Sequence, residues 1–194
     1  MKCDIVLAGV GGQGILAIAA VISYAAIESG LYLKQAEVHG MSQRGGNVQS
    51  HLRLSDKEIF SDLVPFGGAD LIIAVEPMEA LRYLPYLSPE GWIIANTTPF
   101  VNIHDYPEIG EVLTEINQQP QQVTLDADAV AREVGHPRGM NIVIAGAASV
   151  FLDVPFEKME EGIKTIFAGK GADIVNKNLV ALRAGRKYSK KNHG

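Results

Sequence analysis

Three short apolar runs, at 5–9, 71–75 and 92–95, contain almost no polar residue. Runs of this length, rich in β-branched side chains, predict strands buried on both faces, because a half-exposed strand would alternate. Residues 32–38 and 121–125 read as two further strands. Residues 47–54 do alternate, as Asn-Val-Gln-Ser-His-Leu-Arg-Leu, and 58–60 follow after the turn at 55–57. That pattern predicts a β-hairpin with one wet face. Helical spacing intervenes. Residues 15–29 are alanine-rich and apolar all round, so they predict a buried helix. Pro77 opens a helix expected to run to about 87, with a turn at 88–91. Residues 98–110 are broken by Pro99 and Pro107. A short helix over 109–117 and one capped by Asp126 and ending at Gly135 follow. Helical patterns then cover 141–152, 156–167 and 174–183. Strands alternating with helices predict an α/β fold, a mostly parallel sheet with helices on both faces and a β-hairpin insertion after the second strand. The C-terminal helices are left to pack on the sheet edge or to serve as a docking surface.

Composition narrows the function classes. The 194 residues are 47% hydrophobic, enough for a substantial core, and no shift in composition divides residues 1–187, which read as one domain. Acids outnumber bases 22 to 17, and no basic stripe crosses the body, so a nucleic-acid surface is not expected. The one basic concentration is Arg183, Arg186, Lys187, Lys190 and Lys191, leading into a polar tail at 188–194; it reads as a solvated, frayed terminus. A single cysteine, Cys3, makes no intrachain disulfide and cannot supply the ligands of an iron–sulfur cluster. A reducing, cytoplasmic home fits that usage. The apolar stretch 15–27 is too short to cross a bilayer. It also fails as a secretory signal, since Asp4 precedes it and glycines interrupt it.

The first motif with chemistry is Gly9-Val10-Gly11-Gly12-Gln13-Gly14. Its glycines at 9, 11 and 14 match G-x-G-x-x-G between a strand and a helix, the setting of a Rossmann-like nucleotide loop. Gly9 permits the tight turn, Gly11 close approach of a backbone, and Gly14 close packing of helix on strand. The helix N-terminus would offer N–H groups to a pyrophosphate or carboxylate. Glu37 follows Gly14 by 23 positions, close to where an acid meets a ribose hydroxyl. A glycine turn made only for packing would carry the same residues.

The second motif, His39-Gly40-Met41-Ser42-Gln43-Arg44-Gly45-Gly46-Asn47, joins two strands. Arg44 is suited to hold a carboxylate or phosphate bidentately, and N–H groups around Gly45 suit an anion nest. A plain hairpin turn with Arg44 in solvent fits equally. Together, the glycine loop, the stretch Ala36-Glu-Val-His-Gly-Met-Ser-Gln-Arg-Gly-Gly46 and Val48-Gln-Ser-His-Leu-Arg53 resemble the gamma-type subunit or domain of 2-oxoacid:ferredoxin oxidoreductases, and within it the indolepyruvate branch. The resemblance is strongest over 1–60 and loosens toward the C-terminus.

That resemblance implies a reaction in which a 2-oxoacid is oxidatively decarboxylated on thiamine diphosphate, its acyl group passes to coenzyme A, and electrons leave through Fe–S clusters to ferredoxin. It implies that thiamine diphosphate and clusters sit on a larger partner subunit, and that this chain is catalytic only in complex. The lone cysteine and the missing Gly-Asp-Gly run agree. Gly9, Gly11, Gly12, Gln13, Gly14, Ser42, Gln43, Arg44 and Gly45 are then the candidate binding residues, facing an anionic group of coenzyme A or the partner, with Gln13 at the rim. No catalytic residue and no metal ligand is assigned. His39 and His51 lack a cysteine or carboxylate companion at ligand spacing, and Asn141 reads as a helix cap or partner contact. Two other functions compete: a stand-alone NAD- or flavin-dependent oxidoreductase using the glycine loop, and a scaffold module without chemistry.

Overall fold

The computed structural model describes residues 1–39, 45–101 and 103–193, leaving aside the side chains of His39 and His193. Six strands form one sheet in the order β2–β3–β1–β4–β5–β6. They are β1 (Lys2–Val10), β2 (Tyr32–His39), β3 (Asn47–Ser55), β4 (Ala69–Ala74), β5 (Leu87–Asn96) and β6 (Gln122–Leu125). β1, β4, β5 and β6 are mutually parallel, whereas β3 runs antiparallel to both β1 and β2. The apolar runs fall on β1, β4 and β5, where both faces are covered. Ile5, Leu7, Leu71, Ile73 and Ile94 point into one buried cluster. Their neighbours Val6, Ala8, Ile72, Ala74 and Ile93 point into the other.

Helices cover both faces. The first cluster is closed by α1 (Ile15–Glu28), α4 (Ala127–Glu133), α5 (Met140–Ala148), α6 (Phe156–Ile166) and α7 (Ala172–His193). The second is closed by α2 (Pro77–Arg82) and α3 (Ile109–Asn117). α5 and α7 cross with their backbones touching. A Cβ on Gly146 would overlap the Leu182 carbonyl oxygen, and one on Gly185 the Val143 carbonyl oxygen.

The hairpin differs from the sequence expectation in its partner. β3 pairs with β2 on one edge and β1 on the other, so neither edge is left for residues 58–60. The segment 56–68 instead crosses the sheet face over β3. Arg53 donates to the carbonyls of Ser61 and Leu63 (both 3.1 Å), and the Val64 N–H donates to His51 Nδ1 (2.9 Å). The turn expected at 88–91 lies within β5, where the register against β4 jumps between Ala69 and Leu71. The basic terminus is ordered as well. α7 continues to His193 because Tyr188 donates to the Thr124 carbonyl (3.1 Å) on β6 and Ser189 is fully buried.

Candidate functional site

The two glycine-rich motifs meet at the end of β1. The Gly11 N–H donates to the Gly46 carbonyl (2.8 Å), and the Gly45 N–H donates to the Gly11 carbonyl (3.5 Å). The second motif thus closes onto the first through backbone bonds that need no side chain, which suits glycine on both sides. Ser42, Gln43 and Arg44 lie outside the described residues.

Within the first motif the residues divide by role. Gly9 is still in β1, and a Cβ there would overlap the Val75 side chain. Gln13 turns inward rather than standing at a rim. Its Oε1 accepts from the Val10 N–H (2.8 Å) and its Nε2 donates to the Val75 carbonyl (3.4 Å), fastening the loop to the end of β4. Gly12, at φ +103°, takes a conformation that side chains rarely adopt. Gly14, at φ +81°, is the N-cap of α1, and its carbonyl accepts from Asn141 Nδ2 (3.0 Å). Asn141 opens α5, so α1 and α5 are joined at the loop. Sequence reading saw Asn141 only as a cap or partner contact.

A cleft of roughly 340 Å³ opens here, lined by Val10, Gly11, Gly12, Gly14, Ile15, Leu16 and Val48. Its floor is the N-terminus of α1, which has neither a side-chain cap nor an acid in its first turn. Helical N–H groups and the dipole therefore favour an anion there. None of the described lining residues is titratable. What these described residues can do is bind and orient a ligand.

Beside it the strand ends are locked by a side chain that sequence reading missed. Asn96, buried at the end of β5, donates through Nδ2 to the Val75 carbonyl (3.3 Å) and Asp128 (2.9 Å), and its Oδ1 accepts from the Ala127 N–H (3.0 Å). Val75 O therefore ties Gln13 to Asn96, and β1 to β4, β5 and α4. An asparagine ending an apolar strand was the available signal. Glu76 next to it is buried and accepts from the N–H groups of Glu79 (2.9 Å) and Phe100 (3.3 Å) and from the Tyr106 hydroxyl. Burial, and then the neighbouring Glu76 carboxylate, hold the Tyr106 phenol well above its ordinary range.

Glu37 does not occupy a ribose-binding position. It lies on β2, and β3 separates β2 from β1, so two strand spacings of about 4.8 Å stand between Glu37's strand and the loop. In a dinucleotide fold the acid-bearing strand adjoins β1. Glu37 instead accepts from Gln35 Nε2 (2.8 Å). His51 Nδ1 is occupied by the Val64 N–H, and its ring meets Tyr86 edge-on at 5.2 Å. Burial lowers its pKa. Among the described residues no group of three or more His, Cys, Asp or Glu could hold a metal ion. Cys3 is buried on β1, and burial, with Asp70 and Asp4 nearby, pushes its thiol up to about 12. A lone buried thiol of that kind does not fit an iron–sulfur cluster.

The family model for pyruvate ferredoxin/flavodoxin oxidoreductase matches residues 4–188. The indolepyruvate oxidoreductase subunit IorB of Archaeoglobus fulgidus is 38% identical over 194 residues, spanning 95% of this chain and 94% of that protein. Its counterpart in Methanothermobacter thermautotrophicus is 34% identical, over 95% and 96%. Among solved structures, 2-oxoglutarate:ferredoxin oxidoreductase from Magnetococcus marinus superposes with a TM-score of 0.79 at 20% identity, over 98% of this chain. The chain spans only 31% of that longer protein. A pyruvate oxidoreductase subunit from Thermotoga maritima superposes with a TM-score of 0.74 at 21% identity, over 96% of each chain. These two likenesses establish the fold.

Proposed function

The chain belongs to the pyruvate ferredoxin/flavodoxin oxidoreductase family, and from that membership we propose that it is the small subunit of a ferredoxin-linked 2-oxoacid oxidoreductase acting on indolepyruvate or another aryl pyruvate. The observation that carries this is the 38% identity to the Archaeoglobus subunit over nearly the whole of both chains. The complex decarboxylates the 2-oxoacid, transfers the acyl group to coenzyme A and passes electrons to ferredoxin. Thiamine diphosphate and the Fe–S clusters belong to the larger partner subunit, in keeping with the single buried thiol here. A cytoplasmic location of the complex is part of the same proposal; among the described residues no helix is long and apolar enough to cross a membrane.

This chain's part is to bind and orient coenzyme A. An anionic group rests on the N–H groups of α1 beside Gly11, Gly12 and Gly14, while Val10, Leu16 and Val48 form an apolar wall. Arg44, one position before the anchored Gly45 in the sequence, is our candidate for an added guanidinium, and Ser42 and Gln43 are our candidates for polar contacts. Gly9, Gln13 and Gly45 hold the loops in place. Support comes also from the Magnetococcus enzyme, whose fold is alike and which was solved with coenzyme A and succinyl-CoA bound.

Leu16→Glu tests the cleft in the assembled enzyme. Leu16 is 44% exposed in the first turn of α1, where a carboxylate suits the helix dipole, so folding is preserved. The apparent KM for coenzyme A is expected to rise roughly tenfold, the value of about 1.4 kcal/mol of lost binding, with the 2-oxoacid KM unchanged. An unchanged KM for coenzyme A would remove the cleft from the binding path. Arg44→Ala should raise the same KM.

A further inference from the structure

A second built feature lies at the other end of α5. Asn141, near its start, bonds Gly14, whereas Ser149 at its C-cap accepts from Arg186 Nη1 at both its carbonyl (3.0 Å) and its hydroxyl (2.9 Å). The eight helical steps from Asn141 to Ser149 set the two places about 12 Å apart. Arg186 is locked from two sides, because its guanidinium also lies over the Phe156 ring at 4.3 Å. Its Nε and Nη2 carry no bond to a described residue. A guanidinium held by one nitrogen, with the other edge of its fork open, is preorganised for a carboxylate or phosphate.

Arg186 lines a groove of roughly 410 Å³ between α6 and α7, together with Phe156, Glu157, Arg183, Lys187 and Lys190. Arg183 is engaged by Glu160 (2.6 Å), but Lys187 and Lys190 are exposed and make no ion pair with a described residue. Between 183 and 191 there are five cations and no acid, in a chain of formal charge −5. With Glu157 in its wall and Arg183 neutralised by Glu160, the groove still keeps an excess of cations in Arg186, Lys187 and Lys190. Cations near the end of α7 suit its dipole, but that does not account for an arginine fixed with its free edge open.

We infer that this groove docks an acidic segment of a protein partner, whose carboxylates are received by Arg186, Lys187 and Lys190. Its length favours a segment over a single phosphate. The cations extend about 10 Å along α7 from 183 to 190, whereas carboxylates two residues apart on an extended chain are about 7 Å apart. One phosphate would engage only one end.

The test uses the 194-residue chain and a fluorescein-labelled hexaglutamate peptide, read by polarisation. Salt-sensitive binding is expected, weakened roughly tenfold or more by K187E/K190E and unaffected by the control K164E on α6. Inorganic pyrophosphate at equal concentration should not displace the peptide. No binding, equal binding to K187E/K190E, or displacement by pyrophosphate at equal concentration would each overturn the inference, the last by revealing a small-anion site. If K187E/K190E does not fold, carbodiimide cross-linking of the peptide to the wild-type chain decides. Linkage at Lys187 or Lys190 supports docking, and linkage only elsewhere, or none, refutes it.

Discussion

Gly14 and Asn141 hold α1 against α5 at the lip of the cleft, and their coupling is calculable. A Cβ on Gly14 would lie 2.6 Å from Asn141 Nδ2, while Asn141 Nδ2 donates to the Gly14 carbonyl at 3.0 Å. Gly14→Ala therefore has two costs. Holding alanine at φ +81° costs about 1–2 kcal/mol. Displacing the Asn141 amide removes a hydrogen bond of about 1 kcal/mol. Asn141→Ala alone loses only the latter, because the Gly14 carbonyl keeps the Ala17 N–H (3.1 Å). The double variant should be no worse than Gly14→Ala, since the shared bond can be lost only once. Urea denaturation of the four proteins gives the cycle, with an expected coupling of about 1 kcal/mol. If Asn141→Ala costs the same in both backgrounds, the proposed contact does not exist.

Other consequences are as direct. Gly185→Ala should lower stability by about 3 kcal/mol or more, read as a fallen urea midpoint, because the added carbon meets the α5 backbone rather than a movable side chain. Burial lowers the pKa of His51, so the unfolded chain takes up a proton that the folded chain resists. The His51 contribution is fully present above the ordinary value of 6.5 and is lost as pH falls from there toward the folded pKa. Urea midpoints at pH 7.5 and 5.5 should differ more for wild type than for His51→Gln. Cys3, with its thiol near 12, should resist a thiol reagent at pH 8 in the native chain and react at once in urea; rapid native labelling would contradict its burial.

The central strands were legible because burial on both faces leaves an unbroken apolar run, and the glycine loop because strand, glycines and helix follow one another locally. What sequence spacing concealed was long-range pairing. Glu37 stands at a dinucleotide-like distance from Gly14, yet β3 lies between their strands. Residues 58–60 look like a strand, but both edges of β3 are taken. Gln13 looked like a rim residue until Val10 N–H and Val75 O drew it inward. Likewise, the basic terminus read as solvent because the partner of Tyr188 is Thr124, 64 residues earlier. Asn96 and Asn141 act through contacts to other elements, which no local pattern reports.

The subunit assignment is tested most directly by reconstitution. The larger subunit would be prepared anaerobically and assayed for viologen reduction with indolepyruvate and coenzyme A, with and without this chain. Reduction dependent on both chains, saturating at a fixed ratio of the two, is the predicted result. Full activity of the larger subunit alone, or no association between the chains, would contradict it.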